Sequence, residues 1–536
     1  MSALGDAAAA LIPPEEGGPA PERVASVARH LLAAMPAVTR PPFGAGLLAL
    51  EAYSLVRCGR PLGRLPHERR AAVLRSIGER GAAGAAGLDA LKAVLMMAAG
   101  ADEYAETIRS VANAAPVARP DPELRMLGRE ELTAARPDAI VVGSGAGGAF
   151  AAREMARAGL DVLVLEEGER WDSARLRAAH PIERFAGLYR DAGSTVAAGL
   201  PPIALPLGRA VGGTTVLNSG TCFRPPASVV AEWRVGHGLG AALIGDDYED
   251  VLADVEETIG VGPVPLEIMG RNGRLALAGA DALGFSAAPL RRNATGCRAS
   301  CQCAIGCPNN AKGGVHLNAL PQACAAGAGI ASGIRVERVL VDRGQAVGVR
   351  CRLVGGGHLE LRAPRIVVAA GTTETPPLLR RSGIGSHPRL GRGMSIHPAL
   401  GVTGRFEEPV VAWEGVMQSA GIEEFLEAQG VRLFFVESST IARAGGSTFE
   451  PYRVGGSRVA VLGRNESTGK QVWSAGHGYP GDFAYREFHK KEGESGLRYW
   501  RVTGDGVDLG DKHLYDPAAA AARTEEHARH FAALAR

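Results

Sequence analysis

The chain has almost no net charge: 59 basic residues against 57 acidic ones leave +2 over 536 residues. That balance removes any bulk electrostatic case for nucleic acid or an anionic membrane surface as a partner. Long apolar runs are also missing, since the most apolar patches, residues 44–56 and 94–99, fall short of the ~20 residues that span a bilayer. The opening stretch MSALGDAAAALIPPEEGG carries no Lys or Arg and only a short apolar run before its prolines. A secretory signal is therefore not expected, and the cytoplasm is the expected compartment. No internal repeat is visible.

What is present describes a folded chain. Hydrophobic residues make up 46% and charged residues 22%, close to globular averages of roughly 45–50% and 25%. At roughly 150 residues per domain, the length predicts three or four compact units. Glycine stands out, with 72 residues, about twice the usual ~7%, so many backbone positions are expected to need positive φ or close approach to a ligand. Residues 1–20, rich in Ala, Pro and Gly, predict a disordered tail. Residues 21–120 predict helices: Val24, Val27 and Leu31 share a face, as do Val73, Leu74 and Ile77, and Leu88, Leu91 and Leu95. The proline-containing VARPDP, residues 117–122, reads as a linker.

The segment DAIVVGSGAGGAFAAREMARAGLDVLVLEEG has the order of a βαβ unit. An apolar strand, Ala139–Val142, turns through Gly143, Ser144, Gly145, Gly147 and Gly148 into an Ala-rich helix, and a second apolar strand follows at Val162–Leu165. Gly143 permits the tight turn, Gly145 lets backbone N–H groups approach a pyrophosphate at the helix N-terminus, and Gly148 lets helix and strand pack closely. Glu166 ends the second strand 18 residues past Gly148, where a carboxylate accepts hydrogen bonds from the ribose of an unphosphorylated adenosine. Strand, turn, helix and acid in register point to a dinucleotide.

With that fingerprint, GRAVGGTTVLNSGTCFRPP (208–226) and RIVVAAGTTETPPLLRRSGIG (365–385) resemble the glucose-methanol-choline (GMC) oxidoreductases, in particular the long-chain-alcohol-oxidase-like branch. The resemblance spans residues 20–425 in family order and implies FAD rather than NAD. It implies that residues 208–226 run along the flavin, which makes Gly212, Gly213, Thr214 and Asn218 expected contacts, and that the hairpin of residues 334–350 reaches the adenine through Val336. In residues 365–385, a strand runs into Gly371 and a turn follows whose Pro376 and Pro377 open a helix. The implied substrate is an alcohol, hydrophobic or sterol-like, with oxygen or another electron acceptor. The N-terminal helices would then serve as a lid with a possible peripheral membrane contact.

Four of the eight cysteines, Cys297, Cys301, Cys303 and Cys307, stand in GCRASCQCAIGCPNNAKGG. This spacing matches neither the CxxC pairs of a zinc site nor a standard ferredoxin run. A structural or thiol-only role, an iron–sulfur cluster of the kind some GMC dehydrogenases carry beside a similar segment, and zinc all remain open. A stable disulfide is disfavoured in a reducing compartment.

GMC enzymes take the hydroxyl proton with a histidine in a C-terminal segment that has no counterpart here. His316 and His397, the histidines left within the matched sequence, read as hydrogen-bonding structural residues. From residue 431 onward the chain resembles an internal stretch of prokaryotic 1,4-α-glucan branching enzymes, most specifically in VWSAGHGYPGD (472–482). Trp473 and Tyr479 would correspond to the aromatic residues of a mobile glucan-site loop. The carboxylate pair of retaining glycoside chemistry is missing, because Asp482, Glu487 and Asp516 read as surface or loop groups, and His477 and His489 come from a foreign context. The expected architecture is α/β: a disordered tail (1–20), a helical N-terminal region (21–120), an FAD-binding, doubly wound Rossmann-like domain (136–430) incomplete at its C-terminal end, and an appended α/β fragment of different origin (431–536).

Overall fold

The computed structural model describes residues 3–12, 19–38, 40–114, 116–197, 203–240, 243–396, 404, 406–411, 414–422, 433–437, 451–453, 460–464 and 516–534. The contacts separate two compact units where length suggested three or four. The first gathers Met1–Arg224, Asp246–Ala282 and Ala287–Gly421, so the helical region and the dinucleotide fold belong to one unit; the second gathers Pro225–Gly245, Leu283–Ser286 and Ile422–Arg536.

The first unit opens with five helices: α1 (Ala3–Leu11), α2 (Pro21–Ala34), α3 (Arg40–Cys58), α4 (His67–Gly78) and α5 (Gly81–Glu103). Each buries a stripe at helical spacing. Val24, Ala28 and Leu31 of α2 meet Leu91, Leu95 and Ala98 of α5 in one apolar cluster with Val73 and Leu74 of α4. The disordered tail expected over residues 1–20 is corrected for Ala3–Leu11. Alanine is the best helix former, and Leu4, Ala7 and Ala8, three and four residues apart, are buried in the same cluster. The linker expected at residues 117–122 is likewise tied down. Asp121 accepts hydrogen bonds from the backbone N–H of Ser173 and from Asn310 Nδ2, both at 3.0 Å.

The βαβ unit follows: β1 (Ala139–Val142), α6 (Ala146–Arg157) and β2 (Val162–Leu165). Helix α7 (Pro181–Leu188) and helix α8 (Ala319–Ala325) precede β3 (Gly329–Ala331), and an antiparallel meander, β4 (Ile334–Asp342), β5 (Gln345–Leu353) and β6 (His358–Arg362), comes next. The unit's sheet closes with β7 (Arg365–Val368), after which helix α9 (Gly371–Arg381) begins. The parallel sheet has the order β7-β1-β2-β3, with Ala139 in register with Arg365 on one side and Val162 on the other.

Strands β1 and β2 are buried at every residue, as expected for parallel strands covered on both faces. Parity decides which layer each side chain joins. Val141, Val162 and Val164 pack with Ala149, Ala152 and Ala156 of α6 and with Leu320 of α8. Ile140, Val142, Leu163 and Leu165 face Val349, Leu361 and Leu378 of the meander and α9. Each fully buried Val or Leu contributes roughly 1.5–3 kcal/mol. The small alanines of α6 let the helix lie close to the sheet, which sets its N-terminus at the carboxyl ends of β1 and β7. The expectation that Pro376 and Pro377 open a helix is corrected: α9 starts at Gly371 and carries both prolines inside it. The tight turn after β7 starts the helix, and the prolines remove two ladder donors from it.

In the second unit, Leu433–Glu437 pairs parallel with Ala460–Arg464, which pairs antiparallel with Pro451–Arg453. Helices cover Ala227–Val235 and Pro517–Leu534.

Candidate functional site

The site begins where β1 ends. Gly143 has φ +100, and a Cβ there would lie 2.4 Å from the carbonyl oxygen of Ala369 just past β7, so only glycine makes this turn from β1 into α6. Helix α6 then starts with Gly145 at its N-cap, which supplies no capping side chain. The first N–H groups of the helix are thus left for an anionic ligand, reinforced by the helix dipole. Gly148 fixes the depth of this corner, because a Cβ on it would sit 1.9 Å from Gly143 O.

Ser144 joins three segments from a fully buried position. Its backbone N–H and Oγ donate to Glu166 Oε2 at 3.0 and 2.6 Å, and its Oγ accepts from the N–H of Gly212 at 3.0 Å. Gly168 N–H donates to Glu166 Oε1 at 2.9 Å. Burial pushes the Glu166 carboxyl up from its ordinary range, and the Ser144 hydrogen bonds oppose that. The second glycine loop is thereby drawn onto the first: a Cβ on Gly213 would come within 2.8 Å of Gly145 Cα. Farther along this loop, Asn218 Oδ1 accepts from Lys312 Nζ at 3.2 Å and from Gly220 N–H at 3.1 Å. Lys312 Nζ also donates to Thr215 O at 2.6 Å. Burial lowers the Lys312 ammonium to about 8.

These segments enclose a cavity of about 420 Å³, within the ~300–1,000 Å³ of cofactor and ligand sites. Eight of the eleven expected contacts line it: Gly143, Gly145, Gly147, Glu166, Gly213, Thr214, Asn218 and Val336. Ser144, Gly148 and Gly212 stand behind that surface as its supports. At Gly147 and Gly371 an added Cβ would meet nothing within 4 Å, so the backbone there borders open space.

Sequence reasoning missed the charged part of the lining. Glu167 accepts from Arg190 at 2.8 Å and from Arg335 at 3.1 Å, and Glu374 lies 3.9 and 3.6 Å from the same two guanidinium groups. Burial works to raise the Glu167 carboxyl, but the Arg190 hydrogen bond and the two arginines outweigh it and hold the group below its usual range. Arg190, Arg335 and Glu374 are far apart in sequence, and although Arg335 and Glu374 fall within residues 334–350 and 365–385, nothing in those segments singles out either side chain; only the doubled acid of LEEG gave a local signal.

No histidine is found among the described residues lining the cavity. His316 packs behind the loop, with its Nδ1 3.1 Å from where a Gly212 Cβ would be. The hydrogen-bonding role expected of it is corrected at that atom, because Nδ1 is buried without a partner. Burial, followed by the nearby Lys312, pushes the imidazole down to about 3, which keeps it neutral near pH 7. His397, His477, His489, Trp473, Tyr479, Asp482 and Glu487 lie outside the described residues. Asp516 is exposed and caps the last helix, accepting from the N–H groups of Ala518 and Ala519 at 2.9 and 3.2 Å.

Cys297, Cys301, Cys303 and Cys307 line one pocket of about 10 Å³ with Arg292 and Lys312. None of the four forms a disulfide. Arg292 Nη2 lies 3.3 Å from Cys303 Sγ, and burial pushes the Cys297 and Cys301 thiols up. Among the described residues no three Cys, His, Asp or Glu side chains are placed to hold a metal ion.

Residues 138–179 match the family model of an FAD binding domain, and residues 185–399 match that of the GMC oxidoreductases. An uncharacterised GMC-type oxidoreductase of Mycobacterium tuberculosis is 54% identical over 424 residues, covering 79% of this chain and 67% of that protein. A long-chain-alcohol oxidase of Arabidopsis thaliana is 34% identical over 301 residues, covering 54% of this chain and 39% of the plant protein. A 1,4-alpha-glucan branching enzyme of Thermococcus kodakarensis is 53% identical over 128 residues, covering 21% of this chain and 19% of the enzyme. A C-terminal segment carries this likeness, the one expected from VWSAGHGYPGD. The fingerprint, the cavity around it and the mycobacterial relative agree: the chain belongs to the GMC oxidoreductase family, its cofactor is FAD, and a segment similar to a branching enzyme fragment follows its flavin fold.

Proposed function

We propose that this oxidoreductase acts in the cytoplasm on the CH–OH group of a hydrophobic alcohol, long-chain or sterol-like, and passes the electrons to oxygen or another acceptor. The observation that carries this reading is the convergence of three glycine-rich segments, around residues 143–148, 208–218 and 369–371, on one cavity. Bound there, FAD supplies the hydride-accepting chemistry. The chain's own residues do the holding. The open N-terminus of α6, at Gly145 and Gly147, would hold the pyrophosphate. Glu166, fixed by Ser144 and Gly168, would bind the ribose, and Val336 would pack on the adenine. Gly213, Thr214 and Asn218 would hold the flavin ring system, with Lys312 setting the orientation of the Asn218 amide. The long-chain-alcohol oxidase likeness supports the substrate class. A peripheral membrane contact through residues 1–115 belongs to the same reading, and liposome co-sedimentation unchanged by deleting them would remove it.

Among the described residues the cavity lining holds no histidine, and a second reading is that the chain binds FAD but does not turn over. Anaerobic titration of the flavin-loaded protein with hexadecanol, cholesterol, ethanol and maltoheptaose separates the two. The first reading expects bleaching of the flavin band by hexadecanol or cholesterol and none by ethanol or the glucan. A stoichiometric flavin that no alcohol bleaches would leave the second.

A further inference from the structure

Another cavity lies in the helical region rather than at the flavin site. It measures about 810 Å³ and is lined by apolar side chains, among them Leu31, Leu47, Leu50, Leu74, Leu91 and Phe185. Very little that is polar faces it. Tyr53 is the main exception, and its hydroxyl is engaged by Ser76 Oγ at 3.0 Å. The guanidinium of Arg80 stands 4.6 Å from the Tyr53 ring centroid, and Arg57 lies one turn past Tyr53 on the same face of α3. An apolar space of this size with cations grouped at its main polar side chain suits an aliphatic chain ending in an anion.

A second observation sets the cavity apart from a packing defect. Its wall includes Ala192, Gly193 and Ser194, from a turn in which Asp191, Ala192 and Gly193 have φ of 52, 49 and 74. Such left-handed runs of non-glycine residues persist only where the surroundings enforce them, and they cluster at functional sites. Arg190, which begins the turn, lines the cofactor cavity and holds Glu167. One four-residue turn therefore forms part of both walls.

We infer that the helical region is a binding site for one free long-chain fatty carboxylate, its chain in the cavity of α2 to α5 and its head group at Arg80 and Arg57. This site is separate from the flavin cavity and stands whether or not the chain oxidises an alcohol. Gly46 in α3 and Gly87 in α5 line the cavity, and a Cβ on either meets nothing within 4 Å. Larger side chains there fill the space and replace two poor helix formers with good ones.

The test is calorimetric titration of the delipidated, full-length, flavin-loaded protein with palmitate and with hexadecanol, without vesicles. Palmitate should bind saturably at one per chain, and Gly46→Leu with Gly87→Leu should abolish binding while flavin content is kept and the thermal midpoint is kept or raised. Arg57→Gln with Arg80→Gln should weaken palmitate about tenfold, the loss of one charge-assisted contact, and leave hexadecanol unchanged. Absence of saturable palmitate binding, binding that appears only with vesicles, or wild-type affinity in the filled variant would overturn the site. Equal affinity for hexadecanol and palmitate, with neither responding to the arginine changes, would overturn the carboxylate head group.

Discussion

Gly147 and Gly148 are neighbours under opposite constraints. A Cβ at Gly148 would collide with Gly143 O, whereas one at Gly147 enters open space on the cavity side. Gly148→Ala is therefore expected to cost about 1–3 kcal/mol through overpacking, with loss of flavin as the corner opens. Gly147→Ala should leave the urea midpoint unchanged or slightly raised, as alanine favours the helix by up to ~1 kcal/mol, and still reduce bound FAD. Equal stability effects in the two variants would show that the corner is not packed this way. His316 gives a prediction in pH. Its imidazole falls to about 3 when folded, from 6.5 as the ordinary value. Between those values the unfolded chain binds a proton that the folded chain does not, so its contribution is fully present above pH 6.5 and is lost as pH falls. From pH 7 to pH 5 the wild type should lose about 2 kcal/mol more stability than His316→Gln. A common slope in urea titrations at the two pH values would mean that this ring titrates normally. The residues behind these predictions were unequally legible in the sequence. The glycines and Glu166 sit in one short motif whose spacing has a direct mechanical meaning. Arg190, Arg335 and Glu374 meet only through the fold, and the missing partner of His316 Nδ1 depends on which atoms surround it.

Helix α1 shows how an element can be misjudged from composition. An Ala-rich stretch ahead of two prolines has too little hydrophobicity to predict a docked helix. Leu4, Ala7, Ala8 and Ala10 nevertheless form one buried stripe, and His67 Nδ1 meets Ala9 O at 2.9 Å. Deleting residues 1–12 should destabilise the helical region by about 2–4 kcal/mol, given the ~1.5–3 kcal/mol of a buried leucine and smaller alanine terms. An unchanged urea midpoint would restore the view of a dispensable tail. The strands were more legible, because fully apolar β1 and β2 admit few other readings. So was the β4–β5 hairpin, whose alternation is plain in residues 334–350. The start of α9 was harder to read, since two adjacent prolines signal a helix beginning more strongly than Gly371 does.

At the scale of the whole molecule, the described residues that line the cofactor cavity all fall between Val142 and Arg381. The segment with the branching-enzyme likeness lies beyond that interval. The break in character near residue 430 was legible because two unrelated families leave unrelated motifs, while the grouping of the helical region with the flavin fold was not, since it depends on long-range packing. The near-neutral charge of +2 leaves recognition to the two cavities, one polar and glycine-walled, the other apolar. On this reading the residues between Val142 and Arg381 suffice to assemble an FAD site. The most direct measurement is the visible spectrum of the purified full-length protein, with flavin released by denaturation, identified and quantified against protein. The account predicts FAD close to one per chain, retained in a chain ending at residue 421. A full-length protein that remains colourless after incubation with FAD would contradict it.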